Sequence, residues 1–308
     1  MELTRRVRQT VTRLSSAGPG AQLDRLQAQL GRMESRTVAA LEPGDLRAAE
    51  FRVFSQFGED GIIQHLIHHV PIADEVFVEL GVDDYRESNT RFLLVNDNWR
   101  GLIVDADDAH RRFVEATGLA WRHTLDARAA YVDRDNVNAL ITGAGIGGDI
   151  GLLSLDIDGH DYWVLRELEA VSPRILVLEY NSTFGPDAAV TVPYEAGFWR
   201  GQAHASFLYW GASLAALTRA AETKGMALVG GNSAGNNAFY VRRDVLGALP
   251  EVSVAEAYAP SRFRESRGAA GKLSYVTEHE DRLRLMREMP LWDVEAERTL
   301  TVAERFGV

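Results

Sequence analysis

Four short apolar runs, each closed by a carboxylate, set the pattern of the chain. Val76-Phe-Val-Glu79, Leu102-Ile-Val-Asp105, Leu152-Leu-Ser-Leu-Asp156 and Ile175-Leu-Val-Leu-Glu179 share this shape. None alternates regularly with polar residues, so each predicts a strand buried on both faces. Asp126 closes a weaker run, and the successive acids then lie 26, 21, 30 and 23 residues apart. A strand, a helix and two short loops take roughly 25 residues. The spacing therefore predicts repeated β-α units and a parallel sheet covered on both faces, with crossover helices over 88–96, 109–116, 132–141 and 162–170. The acids would gather at the carboxyl edge of that sheet, where open α/β folds bind ligands.

The flanks read differently. Leu3, Val7, Val11 and Leu14 recur at helical spacing and predict an amphipathic helix over 2–15, broken by Gly18-Pro-Gly20. Leu23, Leu26, Leu30 and Met33 continue the pattern in a second helix reaching about Leu41. The two stripes make a helical hairpin that must bury them, on the main domain or in a homo-oligomer; the expectation is an oligomer joined through these helices. Arg5, Arg6, Arg8 and Arg13 leave a membrane-surface helix as the alternative. A polar turn over 54–61 precedes a helix over 62–70 that Pro71 ends. Residues 182–206 form a long segment of the kind that serves as a lid. A helix over 213–224, with Gly225 past its end, leads to strands over 226–229 and 238–242 that read as a terminal hairpin. The tail carries Arg262, Arg264, Arg267 and Lys272 and predicts helices near 278–288 and 294–304. The expected division is 1–48 as the helical hairpin, 49–250 as the main domain and 251–308 as a helical extension.

Net charge of −11 argues against a nucleic-acid surface, which is ordinarily basic. The absence of cysteine excludes disulfides, thiolate metal sites and a Cys nucleophile, and agrees with the cytoplasm as the expected location. No apolar run approaches the roughly 20 residues that cross a bilayer, so no transmembrane segment is expected. The arginines at the start are not followed by the apolar core of a secretory signal.

Glu79-Leu-Gly81 follows the first run, and Asp105 closes the second, where an acid takes ribose hydroxyls in nucleotide-binding folds. The phosphate-binding Gly-x-Gly-x-x-Gly is missing. After Gly81 the chain reads Val-Asp-Asp-Tyr-Arg-Glu-Ser-Asn-Thr90, which places acids where a pyrophosphate would sit. This disfavours an NAD(P)-dependent oxidoreductase, the first rival reading, and suits a cationic or zwitterionic nucleoside. No Walker motif or Gly-x-Ser-x-Gly elbow is present.

Residues 51–245 resemble the class I S-adenosylmethionine-dependent methyltransferases, most closely the FkbM-like branch. The resemblance is carried by Ser55-Gln-Phe-Gly-Glu-Asp60, Glu79-Leu-Gly81, Ser88-Asn-Thr90, Trp99-Arg-Gly101, Asp156-Ile-Asp158 and Leu178-Glu-Tyr-Asn181. It implies an α/β, Rossmann-like fold: a seven-stranded, mostly parallel sheet with an antiparallel last strand and helices on both faces. It also implies S-adenosylmethionine as cosubstrate. Glu79 and Gly81 would meet its amino-acid part, and Asp105, Ala106 and Asp107 its ribose. Asp126 and Ala127 would meet its adenine, with Gln56, Ser88, Asn89, Thr90 and Asp156 completing the site.

A narrower resemblance is to the metal-dependent sugar O-methyltransferases of the macrolide and aminocoumarin type. Ile157-Asp-Gly-His-Asp-Tyr162 matches their Leu-Asp-Gly-Asp-x-Tyr pattern at Asp158, Gly159 and Tyr162, and Glu179 and Asn181 stand where they carry an acidic pair. The resemblance implies Mg2+ on Asp158, Glu179 and Asn181, and a sugar hydroxyl of a small molecule as acceptor. His160 would be the general base, and Asp156 would lie between this centre and the methyl donor. Two plainer readings stand beside this one. The acids cap the helices that follow them, or the chain is a non-catalytic member of the fold. Trp199, Tyr209 and Trp210 are expected to pack in the core or lid, or to line a sugar site.

Overall fold

The computed structural model describes residues 19–268 and 270–308; the helix expected over 2–15 lies outside them. Among the described residues ten strands follow in chain order: β1 (Val76–Leu80), β2 (Arg100–Asp105), β3 (Leu125–Ala129), β4 (Gly148–Leu155), β5 (Val171–Glu179), β6 (Val190–Thr191), β7 (Met226–Gly231), β8 (Asn237–Arg242), β9 (Pro290–Asp293) and β10 (Arg298–Thr301). Seven of them form one sheet in the order β3-β2-β1-β4-β5-β8-β7. β1 to β5 run parallel, and β8, the last strand of this sheet along the chain, inserts antiparallel between β5 and β7. This is the Rossmann-like α/β architecture. The strand order reverses between β1 and β4, which opens a crevice at their carboxyl ends. Leu80 pairs with both Val104 and Leu155, so β1, β2 and β4 end level with one another.

Alternate residues of these strands serve opposite faces, as strand geometry requires. Val78, Leu80, Val104 and Leu155 pack with Val164, Leu165, Leu214 and Leu217 on one side. Phe77, Ile103, Leu152 and Ile175 pack with Ile62, Ile63 and Leu66 on the other. Each fully buried aliphatic side chain stabilises the fold by roughly 1.5–3 kcal/mol relative to exposure. Two glycines make room for rings: a Cβ at Gly101 would lie 2.4 Å from Phe77, and one at Gly151 2.4 Å from Trp99.

Three crossover helices differ from their expected bounds, each for a local reason. The segment expected over 88–96 turns helical only from Arg91 and passes into a π-turn, Leu93–Asp97, because the preceding residues are bonded to Glu79. The helix expected from Val132 is Val137–Thr142, because Asp133 Oδ1 accepts the Asp135 and Asn136 N–H groups and closes a turn first. The helix expected to Ala170 is Asp161–Glu167, since Asn138 Oδ1 accepts the Glu169 and Ala170 N–H groups instead.

The tail is not purely helical. In place of a helix over 294–304 stand the turn after β9, then β10 and the helix Val302–Phe306, entered through a Thr301/Glu304 capping box. Asp293 accepts the Glu295 and Ala296 N–H groups, which turns the chain back into a hairpin. β9 also pairs with β6, inside the long segment after β5. Phe184, Val190, Leu208, Leu283, Met286, Leu291 and Val302 form a separate core between these pieces. The long segment and the tail thus fold together beside the carboxyl edge of the large sheet.

The second N-terminal helix is Pro19–Val38, with Pro at its first position, where it lacks no needed N–H. Its apolar stripe is not buried. Leu23, Leu26, Leu30 and Met33 are 55–63% exposed. The helix docks by its small-residue side: Ala28, Ser35 and Val38 are buried, and a Cβ at Gly31 would lie 2.3 Å from Val53. An Asp24–Arg91 ion pair fixes that orientation, so the stripe faces outward. Among the described residues no helix is long and apolar enough to cross a membrane.

Candidate active site

The first strand ends in a contact that only glycine permits. Gly81 has φ +84°, and a Cβ there would fall 1.6 Å from the Asp156 carbonyl oxygen. The ends of β1 and β4 therefore touch through main chain. The loop after Gly81 is held by Asp105: its Oδ2 accepts the Val82 and Asp83 N–H groups at 2.9 and 2.8 Å, and its Oδ1 accepts that of Asp107 at 3.0 Å. A carboxylate offers about four acceptor positions, so Asp105 keeps capacity for a ligand hydroxyl.

Glu79 is used up within the protein. Its carboxylate accepts the hydroxyls of Ser88 and Thr90 and the N–H groups of Asn89 and Thr90. Burial pushes its carboxyl above the usual range, against those hydrogen bonds. Glu79 thus positions the 88–90 turn rather than offering a free oxygen. Ser88 and Asn89 reach the cleft wall, whereas Thr90 is fully buried and is not part of that wall. Similarly, Ser55-Gln-Phe-Gly-Glu-Asp60 is mostly scaffold. Asp60 Oδ2 accepts the Val53, Phe54 and Ser55 N–H groups, each at 2.7 Å, and the exposed Gln56 lines the cleft.

A cleft of about 1050 Å³ opens above these strand ends. That exceeds most single-ligand pockets and leaves room for two molecules. Ala106 and Asp107 line it beside Asp105. Asp126 and Ala127 do not. Asp126 pairs with Leu102, three residues short of the level of Asp105, and its carboxylate is held by Arg128 at 2.7 Å. The residues that follow β3 into the wall are Tyr131 and Val132. The weak apolar run had put the strand end at its acid, when the strand continues to Ala129.

At the far side of Gly81, Asp156, Asp158 and Glu179 each bring a carboxylate oxygen within 4.8 Å of the others. Burial first, then the charge of Asp158, pushes the Asp156 carboxyl well above the usual range. Glu179 is raised likewise, by burial and then by the charge of Asp156. Glu179 Oε2 is buried without a hydrogen-bond partner among the described residues. Asp158 has φ +56° and is ion-paired with Arg200 at 3.0 Å; Arg200 also approaches Glu265 at 3.7 Å. Asp156 and Asp158 are not helix caps. The turn is closed by Asp161, which accepts the Ile157 and Gly159 N–H groups.

Two residues expected to act in the site are engaged by backbone groups. Asn181 donates its amide to the Leu208 and Trp210 carbonyls and accepts the Thr183 N–H, which leaves its oxygen one acceptor position at the cleft that it lines. Asp156 joins Asp158 and Glu179 in the acidic cluster. His160 is buried between the rings of Tyr194 and Phe198, with its Nε2 accepting the Glu195 N–H. Burial, and then the charge of Arg134, lower its pKa to about 4, so the ring that lines the cleft is neutral near pH 7. The sign follows: the unfolded chain, with histidine near 6.5, takes up the proton first as pH falls. The stability held above pH 6.5 is lost on the way to 4. Denaturant titrations should therefore show about 2 kcal/mol less acid loss between pH 7 and 5 in His160→Gln than in wild type. Equal losses in both would mean the ring is not held neutral.

Several wall residues carry no sequence motif: Tyr131, Phe198, Arg200, Glu265 and Arg282. Trp199 and Trp210 also line the cleft, while Tyr209 is buried behind it and donates to the Pro290 carbonyl.

No protein-family model and no curated protein matches the chain. Solved structures do. One is the O-methyltransferase NcsB1 from neocarzinostatin biosynthesis, solved with S-adenosylmethionine and 2-hydroxy-5-methyl naphthoic acid, at 16% identity over 72% of this chain and 57% of that one, with a TM-score of 0.34. The pyocyanin biosynthetic protein PhzM matches at 12% identity over 58% of this chain and 53% of its own, TM-score 0.35. The mitomycin 7-O-methyltransferase MmcR matches at 16% identity over 75% and 60%, TM-score 0.35. The chain spans a little over half the length of the first structures it matches.

Proposed function

We propose that the cleft binds S-adenosylmethionine and that the protein transfers its methyl group to a hydroxyl of a sugar or sugar-bearing natural product, with a divalent cation, Mg2+, at the acidic cluster. One observation carries this reading. Asp105 and Asp107 on one side of Gly81, and Asp156, Asp158 and Glu179 on the other, open into a single cleft at the point where the strand order reverses.

The donor set suits both groups. Free acceptor capacity on Asp105 and Asp107 matches ribose hydroxyls, and the acids around Asp83 and Asp84 match a sulfonium and an ammonium better than a pyrophosphate. Three carboxylates that bring one oxygen each within 4.8 Å of the others, with Glu179 Oε2 buried and unpartnered among the described residues, form a hard-oxygen site of the kind Mg2+ takes. When bound, the cosubstrate supplies an electrophilic methyl on sulfur and the cation a Lewis acid for the acceptor oxygen. The chain's own part is to orient and exclude. Phe198, Trp199 and Trp210 wall the acceptor side, and Arg200 holds Asp158 in its left-handed turn.

The experiment is calorimetric titration with S-adenosylmethionine. Asp105→Ala removes the ribose acceptor and unties the Val82–Asp83 loop, and should weaken binding by about 2–4 kcal/mol. Asp126→Ala, outside the cleft, should bind as wild type does. Equal affinity in Asp105→Ala and wild type would remove the ribose assignment.

A further inference from the structure

Arginines in this protein are generally paired. Arg200 has Asp158 and Glu265, Arg174 and Arg242 share Asp149, and Arg128 has Asp126. Arg282, on the helix His279–Leu285, is different. It lines the cleft, yet its guanidinium makes no hydrogen bond, ion pair or ring contact with any described residue. Its Nε is buried and unpartnered. The cleft is rich in acids, Glu265 of the tail among them, but none of them is ion-paired with Arg282 or offsets its burial. Burial disfavours the charge of Arg282, and Tyr258 is the ionisable group beside it. Leaving a half-buried guanidinium unpaired costs stability. Such a group is ready for an oxyanion, which its planar fork matches with two parallel hydrogen bonds.

The neighbourhood supplies a second donor. Tyr258 donates to the Ser182 carbonyl, which places Ser182 by the same tyrosine. Ser182 Oγ accepts the Ser261 N–H, leaving its own O–H free to donate into the cleft that it lines.

We infer that Arg282 and Ser182 form an anion subsite at the acceptor end of the cleft, which takes a carboxylate or phosphoryl group carried by the acceptor. This rests on the methyl-transfer reading for the word acceptor, and on the unpaired guanidinium for the word anion. The acceptor is therefore an acidic sugar derivative rather than a neutral one.

The test is thermal unfolding of the full chain in sodium phosphate, sodium acetate and sodium chloride at matched ionic strength, for wild type, Arg282→Gln and Arg282→Lys. A bound oxyanion stabilises the folded state by mass action, so wild type should melt about 2 °C or more higher in at least one oxyanion than in chloride. General salt effects on burial act on all three proteins and cancel in the comparison. Arg282→Gln should lose the difference and Arg282→Lys keep part of it. A rise in phosphate alone assigns a phosphoryl group, and a rise in acetate a carboxylate. No oxyanion-specific rise in wild type, or one that persists in Arg282→Gln, overturns the subsite. S-adenosylmethionine affinity should be unchanged in Arg282→Gln. If wild type binds no S-adenosylmethionine but keeps the oxyanion shift, the methyl-transfer reading fails and the anion subsite stands.

Discussion

Stripping divalent cations with a chelator should lower methyl transfer at least about 1000-fold, and added Mg2+ should restore it. A sugar hydroxyl is a poor nucleophile because it ionises far above neutral pH, so the developing alkoxide needs stabilisation. A Lewis acid contributes several kcal/mol of it, and about 4 kcal/mol corresponds to that factor. The side chains alone give less. Arg200 is engaged by Asp158 and Glu265, and His160 is turned to the Glu195 N–H. S-adenosylmethionine affinity should survive chelation, because Asp105 and Asp107 lie across Gly81 from the cluster. Asp158→Asn should raise the Mg2+ concentration needed for half-maximal rate. Turnover that ignores the chelator would mean that the three acids hold no catalytic cation.

Alanine at position 81 should destabilise the protein by at least about 3 kcal/mol. Two penalties coincide there. The backbone sits at φ +84°, which costs an L-residue roughly 1 kcal/mol. The new Cβ would also meet the Asp156 carbonyl oxygen at 1.6 Å, a main-chain atom that cannot rotate away, so β1 and β4 must part. Gly145→Ala separates the two effects: it has φ +72° with nothing within 4 Å of the added atom, and should lose only the smaller amount. Urea unfolding of both variants gives the difference directly. Similar losses in the two would mean that the strand ends do not pack as described. Because the displaced atom belongs to Asp156, Gly81→Ala should also disorder the acidic cluster.

The parts legible in the sequence are those fixed by burial. Runs such as Leu152-Leu-Ser-Leu155 declared themselves because a strand covered on both faces has no polar side, and their terminal acids located the carboxyl edge. Asp126 misled for the converse reason. β3 is an edge strand whose residues are only partly buried, so its end could not be read from hydrophobicity. The stripe on Pro19–Val38 misled because docking was decided by Gly31 and an ion pair that forms only in three dimensions. Asn181 and His160 stand where a family pattern carries acids, but whether a polar side chain faces a ligand or a backbone group depends on loops 27 to 35 residues away, at Glu195, Leu208 and Trp210. Arg200 lies in the long segment after β5 and Arg282 on a helix of the tail, and only the pairing of the tail with that segment through β6 and β9 brings both to one cleft.

On the proposed function, this cleft takes S-adenosylmethionine rather than a dinucleotide. Titrating the wild-type protein calorimetrically with S-adenosylmethionine and, in parallel, with NAD tests it most directly. Saturable one-site binding of S-adenosylmethionine, displaced by its demethylated product, with no heat from NAD, is the result expected from acids at the end of β1 and ribose acceptors at the end of β2. Saturable binding of NAD, or no binding of S-adenosylmethionine, would contradict it.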